Sequence, residues 1–295
     1  MQTQKNYVPE FSFEFFPPQT EEGLNNLRAA RERLALLKPR FFSVTYGAGG
    51  STQERTFKTV QEIQQQSGIE AAPHLSCIGS TRESLREILS LYKAQGIRHI
   101  VALRGDLPSG SPSAGEFRYA NELVEFIRAE AGDHFRIEVA CYPEFHPQAE
   151  DAEQDLLNFK RKVDAGADAA ITQFFYNFDA YLRFVESSEK LGIDIPIVPG
   201  LMPIGNFKQL ARFADGSGAE IPRWLRKRME AYGDDRESIR AFGLEVVTDL
   251  CRRLLEAGAP GLHFYTMNQA ALSETIWQNL GLSEISGGHS SAARG

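Results

Sequence analysis

Short apolar runs alternate with longer amphipathic stretches along almost the whole chain, and glycine marks most of the junctions between them. Six amphipathic stretches end in a glycine that precedes an apolar run by a few residues: Gly68, Gly96, Gly132, Gly166, Gly192 and Gly258. A glycine just past a helix accepts the left-handed conformation that closes the last turn. At a seventh junction Pro39 takes this place ahead of the apolar run at 41–45. The pattern predicts a helix followed by a strand, repeated along the chain.

The apolar runs predict eight strands, spaced for the most part by about thirty residues, the length of one βα unit. The strands are expected to open near Phe11, Phe41, Ala71, Arg98, Arg136, Asp168, Ile195 and Gly261. Helices are expected over 20–37, 52–67, 81–95, 116–131, 150–165, 178–191 and 236–257, with a shorter one at 206–214. Eight such units predict an α/β fold, the (β/α)8 TIM barrel, with its chemistry at the C-terminal ends of the strands.

The ends of the chain and one long insertion are expected to depart from this repeat. We predict a single barrel domain over residues 1–285, with residues 1–8 frayed, and a disordered tail at 286–295 that is rich in Gly, Ser and Ala. Ser80 is predicted to cap the third helix. The insertion between the seventh and eighth strands carries the basic stretch Arg223–Arg228, which is predicted to be a solvated helix face.

Composition is that of an ordinary globular protein, and it narrows the function classes. Of 295 residues, 42% are hydrophobic and 24% are charged. The net charge of −7 argues against a general nucleic-acid binder. No apolar run approaches the roughly 20 residues that a membrane span needs, and the first residues lack an apolar signal region. Three scattered cysteines without a CxxC pair predict no disulfide framework, so a cytoplasmic protein is expected.

The first predicted strand carries a candidate catalytic carboxylate. Side chains alternate along a strand, so Phe11, Phe13 and Phe15 share one face while Ser12 and Glu14 share the other. Burying the phenylalanines against helices directs Glu14 into the barrel near its top. There it is either a structural carboxylate held by polar neighbours, or a general acid whose pKa is raised by aromatic surroundings. Position alone leaves both interpretations open.

The other strand ends repeat the combination of polar and aromatic residues. Together they predict a pocket for a large planar ligand, built from segments such as Thr45–Tyr46, Arg104–Asp106, Tyr142–His146, Gln173–Phe175 and His263–Tyr265. No metal site is predicted, because the histidines lie on different strands without an HxH or HExxH pair.

Two further motifs each allow two interpretations. The basic triplet Lys160–Lys162, late in a helix, either complements the helix dipole or holds a diphosphate. The glycine-rich segment Gly47–Ser51 resembles half of a phosphate loop but lacks the GKS ending, so we interpret it as a βα loop.

Long motifs along the chain together resemble methylenetetrahydrofolate reductases of the bacterial, single-domain flavoprotein type. They are Ser12–Pro18, Ser43–Gly47, Ala71–Leu75, Ile97–Pro108, Tyr142–Glu144, Leu156–Ala167, Ile171–Phe175 and His263–Thr266. These segments run in the family's order from residue 12 to about residue 280. The resemblance implies a (β/α)8 barrel that binds FAD non-covalently and has no separate Rossmann domain.

The resemblance also implies roles for individual residues. Residues expected around FAD are Thr45, Tyr46, Ala48, His74, Arg104, Gly105, Asp106, Ala120, Tyr142, His146, Ala149, Asp155, Asn158, Arg161 and Lys162. Arg161 and Lys162 are thereby expected to bind the diphosphate. Glu14 matches the proton donor, and residues expected at the folate are Asp106, Gln173, Gln209, Phe213, Tyr265 and Gln269. Phe213 would stack on the pterin or on the nicotinamide. Gln269 departs from the pattern, because an arginine that pairs with a folate carboxylate is expected there.

The implied reaction is the reduction of 5,10-methylenetetrahydrofolate to 5-methyltetrahydrofolate, with NADH or NADPH as the electron donor and a ping-pong order. Its product would supply methyl groups for methionine synthesis, and a homo-oligomer is expected. Two alternatives remain open: another flavin barrel such as a proline dehydrogenase, and a flavin-binding subunit without catalysis. Proline should reduce the flavin only in the first, and the second should show no turnover.

Overall fold

The computed structural model describes residues 1–46, 50–106 and 115–282, without the side chains of 50–53. Ala48, most of the glycine-rich segment 47–51 and the predicted tail lie outside the described residues or side chains.

The described residues form nine parallel strands in one nearly closed barrel, which confirms the predicted fold class. The strands are β1 Glu10–Phe15, β2 Phe41–Val44, β3 Glu70–Ser76, β4 His99–Leu103, β5 Arg136–Cys141, β6 Ala169–Thr172, β7 Ile197–Val198, β8 Gly200–Leu201 and β9 Gly261–Tyr265. Their order in the sheet is β7-β6-β5-β4-β3-β2-β1-β9-β8. Consecutive βα units therefore lie side by side, with β9 returning to pair with β1.

The predicted seventh strand is split into two short pieces, β7 and β8, on either side of Pro199. Each piece pairs with a different neighbour, β7 with β6 and β8 with β9. Proline has no backbone N–H and cannot donate to a ladder, although its carbonyl here accepts from the N–H of His263 at 3.0 Å. The sequence therefore predicted the strand but not its interruption.

Ten helices surround the sheet within the described residues. They are α1 Glu21–Ala35, α2 Gly50–Ser67, α3 Arg82–Ala94, α4 Ala120–Ala131, α5 Ala152–Asp164, α6 Phe178–Lys190, α7 Phe207–Ser217, α8 Arg223–Tyr232, α9 Arg236–Ala257 and α10 Ala271–Asn279. The basic stretch forms α8, which buries Leu225 and Met229 and exposes most of its charges, as predicted. The sequence pattern had not predicted α10.

Two predicted helix starts were wrong. The N-cap of α3 is Thr81 rather than Ser80, because the Thr81 hydroxyl accepts from the Ser84 N–H while the Ser84 hydroxyl accepts from the Thr81 N–H. Helix α4 begins at Ala120 rather than at 116, because Tyr119 is extended and precedes the first turn.

The first residues are not frayed, contrary to prediction. The side chain of Gln4 is fully buried and bridges strand seven: it accepts from the Ile197 N–H at 2.8 Å and donates to the Ile195 carbonyl at 3.1 Å. Thr3 donates to Glu189 through both its N–H and its hydroxyl, each at 2.8 Å. Specific polar contacts thus hold this segment against the barrel.

The faces of β1 are partitioned as its alternation predicts. Phe13 and Phe15 are buried in the layer between strands and helices, where Phe13 packs against Phe42, Phe264 and Trp277. Glu14 points to the other side, into the barrel. A small apolar cluster inside the barrel consists of Phe41, Ala72, Val101 and Ile171.

An ionic network lies at the N-terminal ends of strands β1 to β5, opposite the candidate site. Nε2 of the fully buried His99 lies 3.0 Å from Oε1 of the fully buried Glu138. Arg136 bonds Glu10 at 2.8 Å and lies 3.6 Å from Glu138. His99 and Arg136 lower the pKa of Glu138 although burial raises it. We interpret this ionic network as a structural one, because active sites of such barrels lie at the other end.

Candidate active site

Three strands bring one carboxylate and two imidazoles together inside the barrel, at the C-terminal end of β1. Oε2 of Glu14 lies 3.2 Å from Nε2 of His74 and 3.6 Å from Nε2 of His263. His74 is 7% exposed and His263 is fully buried. Within the described residues, neither Nε2 atom has a well-aligned hydrogen bond. The cluster is therefore tightly packed, with polar capacity left for a ligand.

Of the two interpretations that position alone left open for Glu14, the one with a raised pKa was wrong in that respect. Burial raises the pKa of this carboxyl, but the two imidazoles outweigh burial and lower it to about 2. The physical reason lies in the alternation of β1: the aromatic rings lie on its outer face, whereas the carboxylate faces histidines. Glu14 is thus ionised at neutral pH, with the Nε2 atoms of two imidazoles beside its carboxylate.

His263 is a site residue that sequence reasoning had only named as part of a strand end. The register of β1 with β9 places Ser12 opposite His263 and Glu14 opposite Tyr265. Oγ of Ser12 lies 2.7 Å from Nδ1 of His263, which fixes the ring with its Nε2 toward Glu14. A prediction would have required the register between two strands about 250 residues apart, because neither residue is in a local motif.

The turn after β4 needs a glycine. Gly105 has φ of +81°, and a Cβ there would lie 1.8 Å from Oγ of Ser76. Arg104 donates to Gln148 at 2.6 Å and lies 4.0 Å from Asp106. The Asp106 side chain is 96% exposed, at the rim rather than in the Glu14 cluster.

A second predicted group gathers around the end of β5. The Tyr142 and His146 rings meet edge to face at 4.7 Å. The His146 N–H donates to the Asp155 carboxylate at 3.0 Å, and the Ala149 N–H donates to the His146 carbonyl at 2.9 Å. Burial raises the pKa of Asp155 and lowers that of His146. Through Gln148, which Arg104 contacts, this group is continuous with the β4 turn.

The three residues of the basic triplet have different partners. Lys160 pairs with Asp164 at 2.6 Å, one turn away on α5. Arg161 donates to Oδ1 of Asn158 at 2.6 Å. The Nζ of Lys162 donates to the Ala140 carbonyl on β5, and burial lowers the pKa of this partly buried ammonium.

Other predicted residues lie at the same end of the barrel. The Thr45 N–H donates to the Phe15 carbonyl at 2.9 Å, and burial raises the pKa of the neighbouring Tyr46. Ala120 is the first residue of α4. The Tyr265 hydroxyl donates to the Thr172 carbonyl at 2.6 Å, next to Gln173.

Three predicted folate residues line one cavity of about 170 Å³ beside the end of β9. They are Gln209 and Phe213 of α7 and Gln269 of the β9–α10 loop. Arg236 and Arg240 of α9 line the same cavity, and sequence reasoning missed both. The long insertion thus folds back onto the barrel rim.

Two hydrogen bonds between the Asn268 side chain and the Phe16 backbone hold the loop that carries Gln269. The Asn268 side chain accepts from the Phe16 N–H at 3.0 Å and donates to the Phe16 carbonyl at 2.9 Å. Asn268 and Met267 have φ of +56° and +52°, a turn that asparagine tolerates well. The ends of β1 and β9 are thereby held together beside the cavity.

The site residues predicted from the sequence thus fall into three neighbouring groups at one end of the barrel: the Glu14 cluster, the β4–β5 rim and the α7 cavity. Among the described residues, no group of three or more His, Cys, Asp or Glu side chains could hold a metal ion. The three cysteines are buried, and burial raises the pKa of Cys77 to about 12. None of the described helices is long and apolar enough to cross a membrane.

A parallel barrel with a charged, partly buried cluster at the C-terminal ends of its strands defines a barrel enzyme. The methylenetetrahydrofolate reductase family model matches residues 1–281. The chain belongs to this family of oxidoreductases, which confirms the resemblance drawn from its motifs.

Curated relatives agree over most of the chain. The 5,10-methylenetetrahydrofolate reductases of Salmonella typhimurium and Escherichia coli are each 47% identical over 271 residues, covering 92% of this chain and 90% of their own. A probable methylenetetrahydrofolate reductase (NADH) of Oryza sativa is 41% identical over 289 residues, covering 94% of this chain and 49% of its own length.

Solved structures agree on the fold. A Clostridium thermocellum protein that binds two copies of 5-methyl-5,6,7,8-tetrahydrofolic acid superposes with a TM-score of 0.66, covering 96% of this chain and 99% of that protein. The 3-dehydroquinate dehydratase of Geobacillus kaustophilus superposes with a TM-score of 0.53, covering 95% and 92%. At 16% and 12% identity these likenesses show the fold alone.

Proposed function

We propose that this chain reduces 5,10-methylenetetrahydrofolate to 5-methyltetrahydrofolate with electrons from NADH or NADPH and with FAD as a non-covalent cofactor. The observation that carries the proposal is the Glu14 cluster: a carboxylate between two histidines inside the barrel, in a chain of the reductase family. The product would supply methyl groups for methionine synthesis.

The residues around the β4–β5 rim fit FAD. Lys162 has one hydrogen bond among the described residues, to the neutral Ala140 carbonyl, so its charge lacks a hydrogen-bonded anionic partner. Arg161 is exposed next to it, and both could hold a diphosphate. Tyr142, His146 and the remaining predicted residues around this rim would hold the rest of the cofactor. Bound FAD would supply the hydride chemistry between nicotinamide and folate.

Glu14 and His74 would handle the proton. Opening the five-membered ring of the substrate at N10 yields a 5-iminium ion and requires a proton at N10. Glu14 would deliver this proton to N10, and His74, whose Nε2 lies 3.2 Å from Oε2 of Glu14, would orient the carboxyl group.

Substrate binding would involve residues of the β4–β5 rim and of the α7 cavity. Asp106 would hydrogen-bond the pterin and favour the cationic iminium electrostatically. Gln173, Tyr265 and Gln209 would complete the folate contacts, and Phe213, which is 37% exposed, has a ring face free for stacking. Because nicotinamide and pterin would use the same pocket in turn, ping-pong kinetics are expected.

One experiment tests the whole proposal. The purified protein should be yellow, with one FAD per chain; anaerobic NADH or NADPH should bleach it, and methylenetetrahydrofolate should restore the colour. Bleaching by proline would instead favour the proline dehydrogenase alternative. A yellow protein that neither nucleotide reduces would support the non-catalytic subunit. Cytoplasmic location and a homo-oligomeric state stay predictions.

A further inference from the structure

The α7 cavity has an unusual charge for this chain. The net charge of the protein is −7, yet the residues lining this cavity include two arginines and no aspartate or glutamate. Arg236 and Arg240 are four residues apart on α9 and therefore share one face of the helix. The cavity is locally cationic and would attract an anionic group.

Both guanidinium groups are available. Arg236 and Arg240 are exposed, and neither donates a hydrogen bond or forms a salt bridge within the described part of the chain. Asp235 caps the first turn of α9 by accepting from the Glu237 and Ser238 N–H groups. Asp234 is paired with Lys208 at 2.7 Å, although the charge of Arg236 helps to lower its pKa. A planar guanidinium with free N–H groups matches a carboxylate in shape and charge.

The same cavity supplies the other end of an elongated ligand. Phe213 offers an aromatic ring and Gln209 an amide to the cavity. Gln269 lines it too and is neutral, whereas the resemblance led us to expect an arginine there. A ligand that stacks a ring system near Phe213 and carries carboxylates at its far end would meet uncharged groups first and arginines last. Folates have this layout, with a pterin at one end and a glutamate at the other.

We propose that Arg236 and Arg240 bind the glutamate carboxylates of the folate substrate, in place of the arginine that is missing at position 269. This inference rests on the proposed function, because it assigns a subsite to the same substrate. It makes the two arginines binding residues that select for folates with a glutamate tail.

The test compares a substrate with and without the tail. The rate of reoxidation of the reduced protein is measured against the concentration of 5,10-methylenetetrahydrofolate and of 5,10-methylenetetrahydropteroate, which lacks glutamate. The double variant Arg236→Gln/Arg240→Gln should raise the half-saturating concentration roughly tenfold or more for the first substrate and leave it unchanged for the second. Arg223→Gln on α8, an exposed arginine that does not line the cavity, is the matched control.

A rescue and a binding measurement make the outcome decisive. Adding Gln269→Arg to the double variant should restore a large part of the lost preference, since it returns a cation to the same cavity. An equal rise in the half-saturating concentration of both folate substrates, or weaker binding of NADPH alone, would overturn the inference. If neither substrate reoxidised the reduced parent protein, the proposed function would fail instead. Calorimetric titration with 5-methyltetrahydrofolate and 5-methyltetrahydropteroate would still test the arginines: equal affinities in the parent would overturn their assignment.

Discussion

At the scale of single residues, the Glu14 cluster places two imidazoles beside the candidate proton donor. Burial raises the pKa of the Glu14 carboxyl, but the two imidazoles lower it to about 2, so the carboxylate is ionised at neutral pH. An isolated glutamate with this pKa would be a poor acid at neutral pH. In the proposed mechanism Glu14 would therefore have to gain a proton before it donates one, and the Nε2 atoms of His74 and His263 lie 3.2 Å and 3.6 Å from its Oε2.

Replacing Glu14 should separate the two half-reactions. Glu14→Gln keeps the size and hydrogen-bonding capacity of the side chain but cannot deliver a proton. We expect near-normal reduction of the flavin by NAD(P)H and a ~10²–10⁴-fold slower reoxidation by methylenetetrahydrofolate, measured by stopped-flow absorbance. Folate binding should survive. An equal loss in both half-reactions would instead identify Glu14 as a structural carboxylate.

At the scale of elements, helix α5 gives its neighbouring basic residues different partners. Lys160 pairs with Asp164 along the helix, whereas Lys162 reaches the carbonyl of Ala140 on β5. Spacing alone could not distinguish the helix-dipole interpretation from the diphosphate interpretation. The position of each side chain on the helix makes the two separable by mutation.

Removing Arg161 and Lys162 together should release FAD. Charge-assisted bonds to phosphate contribute about 1.5–3 kcal/mol each, so Arg161→Ala/Lys162→Ala should weaken FAD binding by at least tenfold. The measurement is the flavin retained on gel filtration and the dissociation constant from fluorescence titration. Lys160→Ala serves as the control, because its partner Asp164 lies on the same helix. Unchanged FAD affinity in the double variant would leave the diphosphate assignment without support.

Local sequence patterns were enough to predict most helices and strands. The features that the sequence did not predict depend on contacts between distant segments. Alternation in β1 was enough to direct Glu14 into the barrel, and glycines marked the ends of several helices. The contact of Glu14 with His263 depends on the register of β1 and β9. Arg236 reaches its cavity only through the packing of the insertion. Both features depend on contacts between segments that are far apart in the sequence, and hydrophobic periodicity in a single sequence does not indicate such contacts.

At the scale of the whole molecule, the two ends of the barrel use buried charge differently. The C-terminal end holds the candidate site, whereas the N-terminal end holds His99, Glu138 and Arg136 in mutual contact. Breaking one member of such a pair leaves an uncompensated buried charge, which costs more than the pair contributes. This end of the barrel should therefore determine how the fold responds to acid.

The ionised Glu138 should stabilise the fold at neutral pH and lose that effect in acid. Its pKa is lower in the folded protein than in the unfolded chain, so the stabilisation is complete above the unfolded value near 4.3 and disappears as pH falls through the lower folded value. Glu138→Gln should reduce the free energy of unfolding by about 3–5 kcal/mol at pH 7 and flatten its decline on acidification. Urea unfolding at several pH values measures both.

The exposed Glu256→Gln is the control for that series, because Glu256 lies on the surface of α9. A Glu138 variant with the stability and acid response of this control would show that the network contributes nothing to the fold.

The docking of Gln4 onto strand seven also orders events in time. Its partner Ile197 lies 193 residues further along the chain. At about 5–20 residues per second of synthesis, the first residues leave the ribosome roughly 10–40 seconds before the backbone they must bind. During that interval the side chain of Gln4 has no native acceptor or donor. The beginning of the chain is therefore among the last parts to reach its native place, and a nascent barrel must remain open along that seam until then.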